Sequence, residues 1–467
     1  MRKVLFGFVV VVAVILALVW LAGETPLVQL EPPLKALGAA TPVKVKVSDK
    51  NGVLYLRARV EQSGRRFPVF EKRMGGSRWK FWRARQPAAQ VQFVAGRKAI
   101  PQLRDGPVRL VLEAKSDDWR GSVATLAVDL AVRSTPPTLS VDGAQHYINQ
   151  GGSELVVFTA GPGTSDSGVR TGRYQFRSWP LPGGPPGSRF CLFAFPYDVP
   201  ADTTPLVFAR DDAGNEATAT FFSRVFPKKF RSREIELADS FMQKVEQNIE
   251  PHVPQMQFTG NLLDDYLKIN GELRRENNRQ LSDMRLKTEP RFLWSQPFRQ
   301  LANSEVEAEF ADHRRYMYKG QKVDEQDHLG FDLAVTINTP VLAANDGKVI
   351  WADYLGIYGN CIVIDHGYGL QSIYGHLNSF EVKAGDMVRQ GQEVARSDST
   401  GLAGGDHLHF SMQVDGVEVT PTEWWDAHWI RDRVLKKFPG EKLPAGPAAS
   451  APAAASHTPA ASDRASN

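Results

Sequence analysis

His328-Leu329-Gly330-Phe331-Asp332-Leu333-Ala334-Val335 and Asp406-His407-Leu408-His409-Phe410-Ser411-Met412-Gln413-Val414 are the two stretches on which the reading of this chain turns. In the second, polar and apolar residues alternate, so the stretch reads as a strand. Period-two geometry then puts His407 and His409 on one face. In the first, His328 and Asp332 stand four apart, a spacing that shares a face on either a strand or a helix. Gly330 and the β-branched continuation favour a strand. Between the two lies Tyr374-Gly375-His376-Leu377, which brings a fifth residue able to ligate a metal or move a proton. Neutral imidazole and a single carboxylate are ligands that zinc prefers, and a catalytic zinc takes three protein ligands and keeps its fourth place for water. Three of the five residues His328, Asp332, His376, His407 and His409 can fill that role, with two imidazoles left over.

The combination of His-x-Gly-x-Asp, Tyr-Gly-His and His-x-His resembles the lysostaphin or LytM type of zinc metallopeptidase, endopeptidases that cut peptide bonds in bacterial peptidoglycan. The resemblance runs from about 295 to 425 and takes in Gly385 to Gln392 and Gly404-Gly405-Asp406. It implies an antiparallel-β peptidase domain over 293–430 with an open groove. It also implies that His328, Asp332 and His409 hold the zinc, while His376 and His407 stand beside the metal as catalytic residues. Two neutral imidazoles and one carboxylate leave such a site near charge +1, enough to polarise a peptide carbonyl and activate water near neutral pH. The two further imidazoles suit proton transfer and oxyanion stabilisation. No His-Glu-x-x-His segment occurs, so a helix-borne zinc site with a glutamate base is not the alternative. Two positions depart from the family pattern: Ser411 stands where an acidic residue is common, and Gly375 where alanine is frequent. His366 reads as structural, and His146, His252, His313, His428 and His457 lack a convergent partner.

At 467 residues the chain is too long for one core. Arg2 and Lys3 precede an uninterrupted apolar run from Val4 to Gly23, with the first acid at Glu24. About twenty apolar residues suffice to cross a bilayer, and the bulky Val19-Trp20-Leu21 flank is a poor cleavage site. Residues 1–23 therefore read as an uncleaved, single-pass anchor in the inner (cytoplasmic) membrane, with the rest of the chain in the periplasm. No cysteine lies near this run, which excludes a lipoprotein anchor. Cys191 and Cys361, the two cysteines of the chain, read as buried small hydrophobes in separate domains.

Short alternating runs separated by Gly, Pro, Asn and Asp clusters predict two immunoglobulin-like β-sandwiches, 37–134 and 135–225, joined at Thr135-Pro136-Pro137. A weak internal repeat pairs Leu112-Glu113-Ala114 with Val207-Phe208-Ala209, each followed by an Asp-Asp turn. Lys72, Arg73, Arg78, Lys80, Arg83 and Arg85 interleave with Trp79, Phe81 and Trp82, but a net charge of +4 is only mildly basic. They read as a solvated hairpin face, and nucleic acid is not an expected partner. Over 232–285 the period becomes helical. Ile235, Ala238, Met242, Val245 and Ile249 form a stripe, with Ser232 as candidate N-cap and Pro251 as stop, and a second helix follows from Leu262 to Met284. This linker reads as a spacer, with a gate over the groove or a protein-partner surface as alternatives. Residues 445–467, nearly all Ala, Pro and Ser, read as a disordered tail.

The chain as a whole thus reads as mainly β. The expected activity is zinc-dependent hydrolysis of peptidoglycan cross-links, against the alternative of a non-hydrolytic wall-binding regulator that activates a separate hydrolase.

Overall fold

The computed structural model describes residues 2–21, 23–74 and 88–443. Most of the basic and aromatic cluster, from Arg78 to Arg85, and the 445–467 tail lie outside the described residues. The chain opens on an α-helix, Arg2–Leu21, with the side chains of Phe6, Phe8 and Trp20 exposed. Judged on the described residues, no helix is long and apolar enough to cross a membrane. Of the segment expected as a membrane anchor, Arg2–Leu21 is helical.

Two β modules follow. In the first, Leu27–Leu30, Thr41–Ser48 and Ala89–Ala95 form one sheet, and Ala36–Leu37, Val123–Val132, Gly106–Ser116, Val53–Gln62 and Arg65–Arg73 form the other. Alternate residues of Thr41–Ser48 are buried, and Val43, Val45 and Val47 meet Leu56, Val60, Leu110 and Leu112 in one core. Two layers packed face to face are how an antiparallel sheet with one apolar side hides it. The second module repeats the arrangement with two four-stranded sheets, one centred on Ser153–Ala160 and Ser188–Ala194, the other on Thr164–Thr171 and Leu206–Asp211. Cys191 and Cys361 are both free and buried.

The last third is an antiparallel sheet in the order Glu305–Ala308, Phe331–Ala334, His407–Val414, Leu370–Phe380, Asn360–Gly367, Gly347–Tyr354, Met387–Val388. Leu408, Phe410 and Met412 on one face of His407–Val414 enter a core that runs without a break into the second β module, through Phe292, Trp294, Phe190 and Phe193. Polar clamps reinforce this junction. Arg177 donates to Asp415 Oδ1 at 2.8 Å, and Glu423 accepts from Asn149 Nδ2 at 2.8 Å and Ser153 N at 2.7 Å.

The linker departs from the sequence reading at its start. Ser232–Glu236 is a strand, paired in parallel with Asp312–Tyr318, so Ser232 caps nothing and the helix begins at Asp239 with Ala238 as N-cap. Ser-Arg-Glu-Ile-Glu alternates, and the Arg233 guanidinium reaches the buried Asp312 carboxylate at 2.6 Å. That local period of two wins over the longer helical stripe. The second helix runs from Leu262 to Asp283 with one π-helical turn, Ile269–Leu273. Neither helix is a free spacer: Met242, Val245, Ile249, Ile269 and Leu281 share a core with Ile350, Ile357, Cys361, Val363 and Ile373 of the sheet.

Candidate metal centre

Register brings the five polar residues together. Asp332 is directly opposite His409 and Ala334 opposite His407, so the two histidines and the carboxylate emerge side by side on the face away from the core. His328 closes the preceding strand, Gln321–His328. His376 needs a further device. Strict alternation would place it on the core side with Tyr374. A bulge, in which Cys361 alone faces Gly375 and His376, together with a left-handed backbone at His376 (φ 61°), turns it to the other face. Its ring then lies 4.7 Å from that of His407 and 5.8 Å from that of His409, centre to centre.

Three donor atoms converge. His328 Nε2 lies 3.0 Å from His409 Nδ1 and 2.9 Å from Asp332 Oδ1, and His409 Nδ1 lies 3.1 Å from that same oxygen. Their outer partners fix the tautomers. His328 Nδ1 faces the Glu309 carbonyl at 3.2 Å and must donate to it. Ser411 spends its proton on the Leu329 carbonyl at 2.7 Å, so its oxygen accepts from His409 Nε2–H at 2.9 Å. Both inward-facing nitrogens are thus bare lone pairs beside a carboxylate oxygen, with no hydrogen among them to share. That arrangement is repulsive by itself and is relieved by a cation. Donors around a tetrahedral zinc at ~2.0–2.1 Å stand roughly 3.3 Å apart, close to the observed edges. His328, Asp332 and His409 therefore fit a metal, as their mutual approach within 4.8 Å also indicates.

The surroundings keep these groups in their ligating states. The Asp332 carboxyl is held well below the usual carboxylate range against the opposing effect of burial. Arg314 adds a bond from Nη2 to Asp332 Oδ2 at 2.8 Å. Burial lowers His328 to about 4 against the pull of Asp332, and lowers His409 as well. His376 and His407 donate Nδ1–H to the carbonyls of Thr400 and Gly405, at 2.7 and 2.9 Å. His376 keeps Nε2 free of a bonded partner among the described residues, while His407 Nε2 lies 3.5 Å from Asp332 Oδ1. Gly330 makes room for the centre, since a Cβ there would come within 2.4 Å of Ser411 Oγ and 2.6 Å of the His409 ring.

The sequence reading did not find Arg314, the part Ser411 plays behind His409, or Tyr358, whose ring lies 5.4 Å from that of His409. Arg314 sits in a strand of charged residues with nothing local to distinguish it. Ser411 had a signal, its place two residues after His409 on the same face. His366 is buried, bonded to the Asp346 carbonyl and Ser372, away from the five. His146, His252, His313 and His428 do not join the centre either; His457 lies outside the described residues.

The centre opens on a cleft of about 380 Å³, lined also by Ile235, Phe241, Arg274 and Asn278 from the linker.

Comparison with known proteins places this geometry. Over 94 residues the chain is 37% identical to the DD-carboxypeptidase/endopeptidase Mpg of Neisseria meningitidis, covering 20% of this chain and 22% of that one. Over 109 residues it is 37% identical to the murein hydrolase activator EnvC of Escherichia coli, covering 23% and 26%. The chain thus spans about a quarter of the length of the curated relatives it matches. Among solved structures, a putative peptidase M23 from Pseudomonas aeruginosa aligns at 18% identity and TM-score 0.35, covering 60% of this chain and 94% of that one. Residues 326–421 match Peptidase family M23, and the stretch that carries all five polar residues is an M23 peptidase domain.

Proposed function

We propose that this protein is a zinc metalloendopeptidase that hydrolyses peptide cross-links of bacterial peptidoglycan, held at the cytoplasmic membrane by Arg2–Leu21 with its catalytic domain in the periplasm. The observation that carries the reading is the trio of bare donor atoms, two imidazole nitrogens and one carboxylate oxygen, brought within 3.1 Å of one another on the floor of a cleft. Bound there, zinc supplies a Lewis acid for the scissile carbonyl and lowers the pKa of water towards neutrality. The chain's own residues supply the rest. Thr400 and Gly405 orient His376 and His407 through Nδ1, so that their Nε2 atoms can move a proton between the attacking water and the leaving amine, that of His407 beside the Asp332 carboxylate. Arg314 keeps Asp332 anionic and fixed. The two N-terminal modules, read as immunoglobulin-like sandwiches, space the cleft from the membrane and offer surface to the wall or to a protein partner.

The similarity to a murein hydrolase activator keeps a second reading in view, a wall-binding regulator without hydrolysis of its own. Metal analysis of the full chain and mass spectrometry of muropeptides after digestion decide between the two. The enzyme reading expects one zinc per chain and chelator-sensitive cleavage, both lost in His409→Ala. A metal-free chain that binds wall without cutting it overturns that reading in favour of the regulator.

A further inference from the structure

One cation in the cleft has no anion. Arg274 begins the helix Arg274–Asp283 and lines the same cleft as His328, Asp332 and His409, 52 residues before the segment that matches the peptidase family begins at 326. Its Nε donates to the Asn270 carbonyl at 3.1 Å and its Nη2 to Asn270 Oδ1 at 2.7 Å. Asn270 is buried and is itself fixed, donating from Nδ2 to Asp324 at 2.6 Å. A chain of bonds from Asp324 through Asn270 therefore holds the guanidinium in one pose. Among the described residues no carboxylate pairs with it. Arg314, the other arginine of the cleft, is spent on Asp332; the cleft's remaining acids are Glu236, Glu307 and Asp327, none of which pairs with Arg274 among the described residues, Asp327 being bonded to His313 and Tyr197.

A long cationic side chain usually keeps its freedom when it serves only solubility. Holding it still against a polar partner costs side-chain entropy, and a rigid planar fork is what bidentate recognition of a carboxylate needs. The π-helical turn Ile269–Leu273 is part of the device. It inserts an extra residue just before Arg274, which rotates the following turn about the helix axis and re-aims it, a use to which such turns are often put at functional sites.

We propose that Arg274 is the specificity anchor of the cleft, binding a carboxylate of an anionic peptide so that the neighbouring peptide bond lies over the metal centre. This rests on the hydrolase reading above for its consequence in cleavage, but not for its consequence in binding. The substrate class it selects is a peptide with a free carboxylate within a few residues of the cleaved bond, rather than a neutral or amidated strand.

The test uses the full chain in detergent and two synthetic cross-linked stem peptides, one with a free C-terminal carboxylate and one with the amide. Binding is read by calorimetry on the metal-free chain, and kcat and KM on the zinc-loaded chain. The expectation is that the wild type binds the acid at least tenfold more tightly than the amide. Arg274→Gln should lose that preference while binding the amide unchanged, and Arg274→Lys should keep only part of it because a point charge cannot reproduce the fork. In cleavage the loss should fall mainly on KM for the acid. Equal binding of the two peptides by the wild type, or a preference that survives in a folded Arg274→Gln chain, overturns the proposal. A chain that discriminates acid from amide but cuts neither leaves Arg274 as the anchor and removes the hydrolase reading instead.

Discussion

His409 turns a bare Nδ1 to the centre because Ser411 takes the hydrogen from Nε2, and Ser411 can do so because its own hydroxyl is turned to Leu329. Replacing Ser411 by alanine removes the acceptor without touching a ligand. Zinc affinity should fall on the order of 10- to 100-fold, as is usual when the outer partner of a metal-bound histidine is lost. Competition with a chromogenic chelator checks this, with unchanged circular dichroism as the control. At this scale the shared faces were legible in the sequence because spacing carries them: i, i+2 on a strand for the paired histidines, i, i+4 for His328 and Asp332, while the choice of His328, Asp332 and His409 as a ligand set came from the family resemblance. What spacing does not carry is a partner that arrives from another strand. Arg314 reaches Asp332 only because Asp312–Tyr318 pairs with the strand that ends in His328. His376 reaches the site only because a bulge reverses its side chain, and a bulge is set by the strand opposite as much as by its own residues.

At the scale of elements, the helical linker is the chief correction. Its helices cover Ile357, Cys361, Val363 and Ile373 on the outer surface of the peptidase sheet, and its Lys244 and Asn248 bond to Gly404 and Ser399 beside the cleft at 3.2 Å each. Deleting 232–285 should therefore strip an apolar face and give an aggregating chain with little activity, rather than a more active one. Size-exclusion chromatography and wall digestion would show it. A milder probe, Val245→Ala, should cost on the order of 1–3 kcal/mol in stability through lost burial and an unfilled cavity, measured by chemical unfolding. The apolar stripe of the first helix was readable as a pattern, and so was the extent of the second. The strand that precedes them was not, because Ile235 fits both periods and only its pairing with Asp312–Tyr318 decides.

Over the whole molecule, the second β module and the peptidase domain are one body, and Glu423 is buried where they meet. Burial raises its carboxyl to about 7, with the bonds from Asn149 and Ser153 acting in opposition and Glu154 adding to the rise. A folded value above the unfolded 4.5 means that the native state binds the extra proton between these limits. Stability from this group is therefore full below about 4.5, falls as pH rises to about 7 and is level above. Thermal unfolding from pH 4.5 to 8 should show that decline in the wild type, and Glu423→Gln should flatten its share of it. The sequence showed where the turns and apolar runs of these modules lie, but a core shared between modules leaves no mark in either one's alternation.

The first module joins this body differently. Thr41 Oγ1 donates to the Ala213 carbonyl, Ala39 N to Asn215 Oδ1, and Arg133 pairs with Asp212, a handshake of polar groups between cores that stay separate among the described residues. Thr41, Ala213 and Asn215 are buried in this contact, and the Arg133–Asp212 pair at its edge is open to water. Under the proposed function, a pull between the N-terminal end and a polymer seated in the cleft would fall first on this small polar contact, and the apolar body that carries the cleft would keep its shape.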